Sequence, residues 1–188
     1  ISFSALDIHE STLGYIVENA VITNSLNAAL AQLTNIHQFR GAQVTAYATQ
    51  VGGNILQLAD GTVLQGKLII AADGANSFIR QQADFQVREW SYQHQAIVAT
   101  VLTEKSHNYT ASQCFLASGP LAFLPLLDTD SASDSQRYSS IVWSCEPAKA
   151  QTLMDMDDAA FRQVLQQAFE SRLGEVQDLG ERMTFPLW

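Results

Sequence analysis

The stretch Leu68-Ile69-Ile70-Ala71-Ala72-Asp73-Gly74-Ala75-Asn76-Ser77-Phe78-Ile79-Arg80 runs from an apolar, strand-like segment into a small polar turn and ends on a cation. Its apolar half is continuous rather than alternating, which suits a strand buried on both faces of a parallel sheet. Asp73-Gly74 at the carboxyl edge of such a strand puts a carboxylate where ligands bind in open α/β folds, and the glycine lets the backbone approach a ligand closely. Asn76 and Arg80 add an amide and a fixed cation, suited to a ribose or a pyrophosphate. On spacing alone a second reading stands beside this one: Asp73 caps a short helix over residues 76–82, with Arg80 solvated.

Upstream, residues 19–33 place Val21, Ile22, Leu26, Ala29, Leu30 and Leu33 at three- and four-residue spacings, which predicts an amphipathic helix with one buried stripe. An alternating strand follows over residues 42–50, then a Gly52-Gly53-Asn54 turn, a strand over 55–60, an Asp60-Gly61 turn and a third strand leading into Lys67–Asp73. Downstream, residues 94–104, 112–118, 121–127 and 137–145 read as four strands of one antiparallel sheet. Asp128–Gln136, all small and polar, reads as an exposed hairpin loop. A helix starts on Asp155 or Asp157, carries Phe161, Val164, Leu165, Ala168, Phe169 and Leu173 on one face and stops at Gly174.

Composition narrows the function. With 47% hydrophobic and 15% charged residues the chain is an ordinary globular one, and 188 residues allow one domain or one and a half small ones. A net charge of -9 argues against a nucleic acid partner, because phosphate binding needs a basic face. No apolar run approaches the roughly 18–20 residues of a membrane span, and the opening residues lack the features of a signal peptide, so the chain reads as soluble. Cys114 and Cys145 have no metal-ligand spacing and read as two reduced, buried thiols. His9, His37, His94 and His107 stand in unrelated contexts and read as solvated or core-satisfied.

The wording of residues 71–80, AADGANSFIR, resembles the DG motif of the para-hydroxybenzoate-hydroxylase-like FAD monooxygenases. Three more segments resemble one branch of that class, the flavin hydroxylases of ubiquinone biosynthesis: residues 13–30, residues 118–126 followed by SSIVW, and residues 171–187. The four occur in the family's order, so the resemblance covers nearly the whole chain. It implies an α+β chain: a partial FAD-binding domain of helix, β-meander and DG motif over residues 1–84, and a substrate domain of antiparallel sheet and helix over 85–188.

The activity implied is aromatic hydroxylation. NAD(P)H reduces FAD, the reduced flavin reacts with O2, and one oxygen atom passes to an electron-rich polyprenyl phenol or quinol ring. Asp73 and Gly74 would support FAD and help admit the nicotinamide cofactor. Arg80 would contribute to the NAD(P)H pyrophosphate, with Asn76 standing where the para-hydroxybenzoate enzyme has a histidine. Glu18 and Asn19 would lie near the flavin, or else cap the first helix. The run through Gly119, Pro120, Phe123 and Pro125 would lie along the substrate cavity, although at least half of its apolar residues must be sheet core. No catalytic triad or metal is expected.

The 188 residues hold neither GxGxxG nor the family's later Gly-Asp motif, which implies a middle part of a longer enzyme that binds FAD weakly or not at all by itself. The Lys67–Asp73 strand would then lack sheet neighbours, and self-association is expected. The implied location is cytoplasmic, at the inner-membrane surface, with other ubiquinone-biosynthesis proteins as neighbours. Two alternatives stay open: a non-catalytic domain binding an apolar ligand or partner, and a flavin hydroxylase of a soluble phenol.

Overall fold

The computed structural model describes residues 1–127 and 136–188. The loop expected over Asp128–Gln136 therefore lies, apart from Gln136, outside the described residues. Two compact units emerge, one of Asn27–Glu89 and one joining Ile1–Leu26 to Trp90–Trp188. The expected first domain began at residue 1. The three-stranded meander over residues 44–66 takes no strand from the first 26 residues.

At the N-terminus a 3-10 turn, Ala5–Ile8, is closed by a Ser4–Asp7 capping box. The helix α1 (Asn19–Leu30) begins where the Glu18 carbonyl accepts the N–H groups of Val21 and Ile22, at 3.0 and 3.3 Å. Its apolar stripe is not buried as periodicity predicts: Val21, Ile22 and Leu26 are 51%, 45% and 60% exposed. A helical period fixes which residues share a face, and burial needs an element to cover it.

In the unit of Asn27–Glu89, β1 (Val44–Gln50), β2 (Gly53–Leu58) and β3 (Val63–Gly66) form an antiparallel meander in sequence order. A two-residue turn, Val51-Gly52, joins the first pair, and Asp60 accepts the Thr62 N–H at 2.9 Å in the second turn. The short helix α2 (Phe78–Gln82) follows. Between them the expected core strand is absent: residues 68–73 are irregular, and Leu68 and Ile70 are 76% and 82% exposed. A strand is defined by neighbours, and no main-chain group among the described residues pairs with 68–73.

The other unit holds one sheet of β4 (Gln95–Thr103), β5 (Ser112–Leu116), β6 (Gly119–Pro125), β7 (Tyr138–Cys145), β8 (Val176–Leu179) and β9 (Met183–Pro186). Its order is β5-β6-β7-β4-β8, with β9 also pairing β4, and every ladder is antiparallel. The four strands expected from sequence are the first four of these. β8 and β9, and the helix α3 (Pro147–Met154), were not foreseen. Four-residue strands are too short to show a period, and α3 carries only Ala150 and Leu153 inward. Asp157 caps α4 (Asp158–Ala168), accepting the Ala160 N–H at 2.8 Å.

The core lies on one sheet face. Period-2 alternation brings Ile97, Val101, Leu121, Phe123, Ile141 and Trp143 to one side, where they meet Leu153 of α3 and Phe161 and Leu165 of α4. Cys114 and Cys145 are buried free thiols, and burial pushes the Cys145 thiol above its ordinary range. The Ser139 hydroxyl is buried with no partner among the described residues. Ser139→Ala is therefore expected to be neutral or to stabilise by up to about 1 kcal/mol, read by denaturant midpoint, because it removes an unmet desolvation cost.

Candidate functional site

The Asp73–Arg80 segment folds into a loop closed by its own hydrogen bonds. The Ser77 hydroxyl donates to Asp73 Oδ1 at 2.6 Å and accepts the Arg80 N–H at 3.0 Å, so Ser77 is the N-cap of α2. Asp73 Oδ2 accepts the Ile79 N–H at 3.3 Å. The helix-cap alternative thus falls on Ser77, and Asp73 holds the cap in place. Ser77 is the site residue that the sequence reading passed over. Its signal was a hydroxyl three residues before Arg80, directly ahead of an apolar pair.

Arg80 is half-buried and its guanidinium is engaged. Its Nη2 donates to the Ala75 carbonyl at 2.7 Å and lies 3.6 Å from a Glu89 carboxylate oxygen. Asp73, Gly74 and Asn76 are exposed. Gly74 has φ +82°, and a Cβ added there would meet nothing within 4 Å, so its backbone is open to close approach from outside.

The Ser77 hydroxyl, aided by the Ile79 N–H, holds the Asp73 carboxyl below its ordinary value of 3.8. A depressed carboxylate stabilises the loop above the ordinary value, and that contribution is lost as pH falls through the lower, folded value. Acidification below about 3.8 should therefore lower the protection of the Arg80 amide relative to its intrinsic exchange rate at the same pH, and Asp73→Asn should abolish that change in protection. Amide exchange followed by NMR reads both.

Asn19 opens α1 with Glu18 directly before it, and both are exposed. The remaining expected residues lie on β6. Phe123 faces the core between sheet and helices: it is 2% exposed and stacks on Phe169 with centroids 4.0 Å apart. This corrects its expected place along a substrate surface, since strand alternation sends it to the helix-covered face. Pro120 and Pro125 are half-buried, and Gly119 has φ +126° beside the Ser144 carbonyl. On the opposite face Ala122 of β6, Val142 of β7, Val98 of β4 and Met183 of β9 form one cross-strand row. That row is apolar, and the core residues of α3 and α4 lie on the other face among the described residues.

His107 is core-satisfied: its Nε2–H donates to the Leu126 carbonyl at 3.0 Å, and Nδ1 accepts the Tyr109 N–H at 3.1 Å. No cluster of three metal-ligating side chains occurs among the described residues. A cavity of about 310 Å³ is lined by Met154, Asp158, Leu179, Gly180, Glu181 and Arg182. Arg182 is spent on structure there: it donates to the carbonyls of Leu153 and Met156 at 2.9 and 2.7 Å and sits 4.8 Å from the Phe161 ring centroid.

A family model described as an FAD binding domain matches residues 15–187. The chain belongs to this FAD binding domain family. Within it, the chain is 38% identical over 169 residues to the human mitochondrial ubiquinone biosynthesis monooxygenase COQ6, covering 85% of this chain and 34% of that protein. It is 33% identical over 187 residues to the 3-demethoxyubiquinol 3-hydroxylase of Escherichia coli, covering 100% of this chain and 46% of the enzyme. The chain thus spans less than half the length of these relatives. Among solved structures, p-nitrophenol 4-monooxygenase PnpA from Pseudomonas putida superposes with a TM-score of 0.66 at 16% identity, over 90% of this chain and 42% of that one. PqsL, a probable FAD-dependent monooxygenase from Pseudomonas aeruginosa, gives 0.63 at 16%, over 86% and 45%. At those identities the likeness is one of fold.

For a member of the FAD binding domain family, the DG loop has the groups that one wall of a dinucleotide site needs. An ionised carboxylate, an exposed amide and an unobstructed glycine backbone fit a ribose and phosphate. Arg80 fits less freely, because its fork is already engaged by Ala75 and Glu89.

Proposed function

We propose that this chain is the DG-loop and substrate-sheet portion of an FAD-dependent aromatic monooxygenase, which hydroxylates the ring of a polyprenyl phenol or benzoquinol intermediate of ubiquinone biosynthesis with NAD(P)H and O2. The observation that carries this reading is the 33–38% identity to two ubiquinone-pathway hydroxylases in a chain whose DG loop is intact. FAD, when bound, supplies the redox chemistry with nicotinamide and O2. The chain's own residues bind, orient and exclude water.

In this reading Asp73 and Gly74 hold FAD hydroxyl and phosphate groups, and Asn76 contacts the nicotinamide dinucleotide. Arg80 reaches its pyrophosphate by exchanging the Ala75 carbonyl for a phosphate oxygen, a stronger charge-assisted acceptor. Glu18 and Asn19 place a polar group near the flavin. Pro120 and Ala122, on the apolar sheet face, take the place assigned from sequence to Phe123 as the wall for the ring and its prenyl tail. Gly119 and Pro125 shape the ends of that strand. A prenylated substrate resides in the bilayer, so the protein works in the cytoplasm at the inner-membrane surface beside other enzymes of the pathway. No helix among the described residues is long and apolar enough to cross a membrane. The chain also associates with itself through exposed apolar segments.

The test is the complete gene product containing these residues. It should purify with bound flavin and consume NAD(P)H and O2 faster when a prenylated quinol is added, yielding a product one oxygen atom heavier. A colourless protein, or turnover indifferent to the quinol, would refute the reading. Stimulation by a soluble phenol alone would move the substrate to the aqueous phase.

A further inference from the structure

The chain that follows α2 returns to Arg80. After Gln82 the backbone reverses: the N–H groups of Ala83, Asp84 and Phe85 donate to the carbonyls of Ile79, Gln81 and Arg80 at 2.9, 3.2 and 3.1 Å, with Asp84 at φ +54°. Residues 85–89 continue in irregular, exposed backbone, and Glu89 comes to rest with a carboxylate oxygen 3.6 Å from Arg80 Nη2. Glu89 makes no other hydrogen bond or ion pair among the described residues. On the guanidinium, Nη2 donates to Ala75 and faces Glu89, while Nε and Nη1 donate to no acceptor among the described residues.

The two partners of Nη2 differ in kind. The Ala75 carbonyl is a short, fixed acceptor within the loop, whereas Glu89 stands beyond hydrogen-bond distance with its side chain 60% exposed, a loose ion pair in a high dielectric. A phosphate oxygen carries the same sign of charge as the carboxylate and fits the guanidinium fork better, so the two compete for one cation. Asp73 is no such competitor, because its carboxylate is committed to the Ser77 hydroxyl and the Ile79 N–H. We infer that Glu89 is a positioning residue that holds the Arg80 guanidinium against the DG loop and competes for it with the pyrophosphate of the nicotinamide dinucleotide. A loose pair suits a cofactor that must bind and leave in every turnover. This role of Glu89 rests on the reading of Arg80 as a pyrophosphate contact.

ADP-ribose is the probe, titrated by calorimetry into the complete gene product purified with its flavin, so that the flavin's own ADP site is filled. Glu89→Gln should lower the Kd about two- to fivefold, the range of one exposed ion pair. Asp84→Asn removes the same charge from a carboxylate that faces Gln86, and should leave the Kd in place. Arg80→Gln should raise the Kd about tenfold, and adding Glu89→Gln to it should change nothing further, because the competition runs through the guanidinium. Flavin content and circular dichroism verify each variant as folded. An unchanged Kd in Glu89→Gln, an equal gain from Asp84→Asn, or a gain that persists without Arg80 would overturn the competition and leave the dinucleotide site standing. A flavin-loaded wild type that does not bind ADP-ribose would remove both.

Discussion

Gly119→Ala is expected to abolish the folded six-stranded sheet at ordinary temperature, or to cost about 3–5 kcal/mol where folding survives. Two effects add at this position. Its φ of +126° lies outside what an L side chain accepts, and a Cβ would fall inside contact distance of the Ser144 carbonyl oxygen, with the carbonyl carbon 3.1 Å away. Neither can relax cheaply, because the obstruction is backbone of the neighbouring strand β7 and the register from Leu121–Trp143 to Pro125–Ser139 fixes it. A domain is stable by only about 5–15 kcal/mol, so this substitution removes a large share. Urea denaturation followed by tryptophan fluorescence measures it, since Trp143 sits in the same core.

Phe123→Ala carries the second large effect, and it discriminates between two roles. If Phe123 lined a substrate surface, truncation would weaken substrate binding and leave stability nearly unchanged. The structure puts its ring against Phe169 with planes 24° apart inside the sheet–helix core. The expected loss is about 3–5 kcal/mol of stability from burial, cavity and ring stacking together. Denaturant midpoints of Phe123→Ala and Ala122→Ser, its neighbour on the opposite face, should separate widely. Equal midpoints would contradict the facing assigned here.

Which parts of this could be read in the sequence follows from how local each cause is. Strands β1, β4, β5 and β7 were legible because alternation over five to nine residues acts within the strand itself, and Gly-containing turns marked the ends of β2, β3 and β6. The α4 start was legible because Asp157 caps through its own side chain. Leu68–Ala72 and the α1 stripe were misjudged for one reason: their patterns specify an apolar face, and covering such a face is a non-local event. Phe123 was misplaced because a continuous apolar run such as residues 121–127 hides the alternation that assigns facing. At the DG loop, the residue types pointed to Asp73 and Arg80, while the bond from Ser77 that orients them depends on turn geometry that spacing does not display.

The central claim is that this chain serves ring hydroxylation on the route to ubiquinone, and prenylated-quinone analysis by mass spectrometry tests it most directly. The complete gene product containing the chain is expressed in Escherichia coli strains each lacking one flavin ring hydroxylase of that route, such as the 3-demethoxyubiquinol 3-hydroxylase to which the chain is 33% identical. Ubiquinone should return in at least one strain, and Asp73→Asn should reduce the yield at equal protein level. Failure in every strain, with the product accumulating as a folded flavoprotein, would contradict the claim.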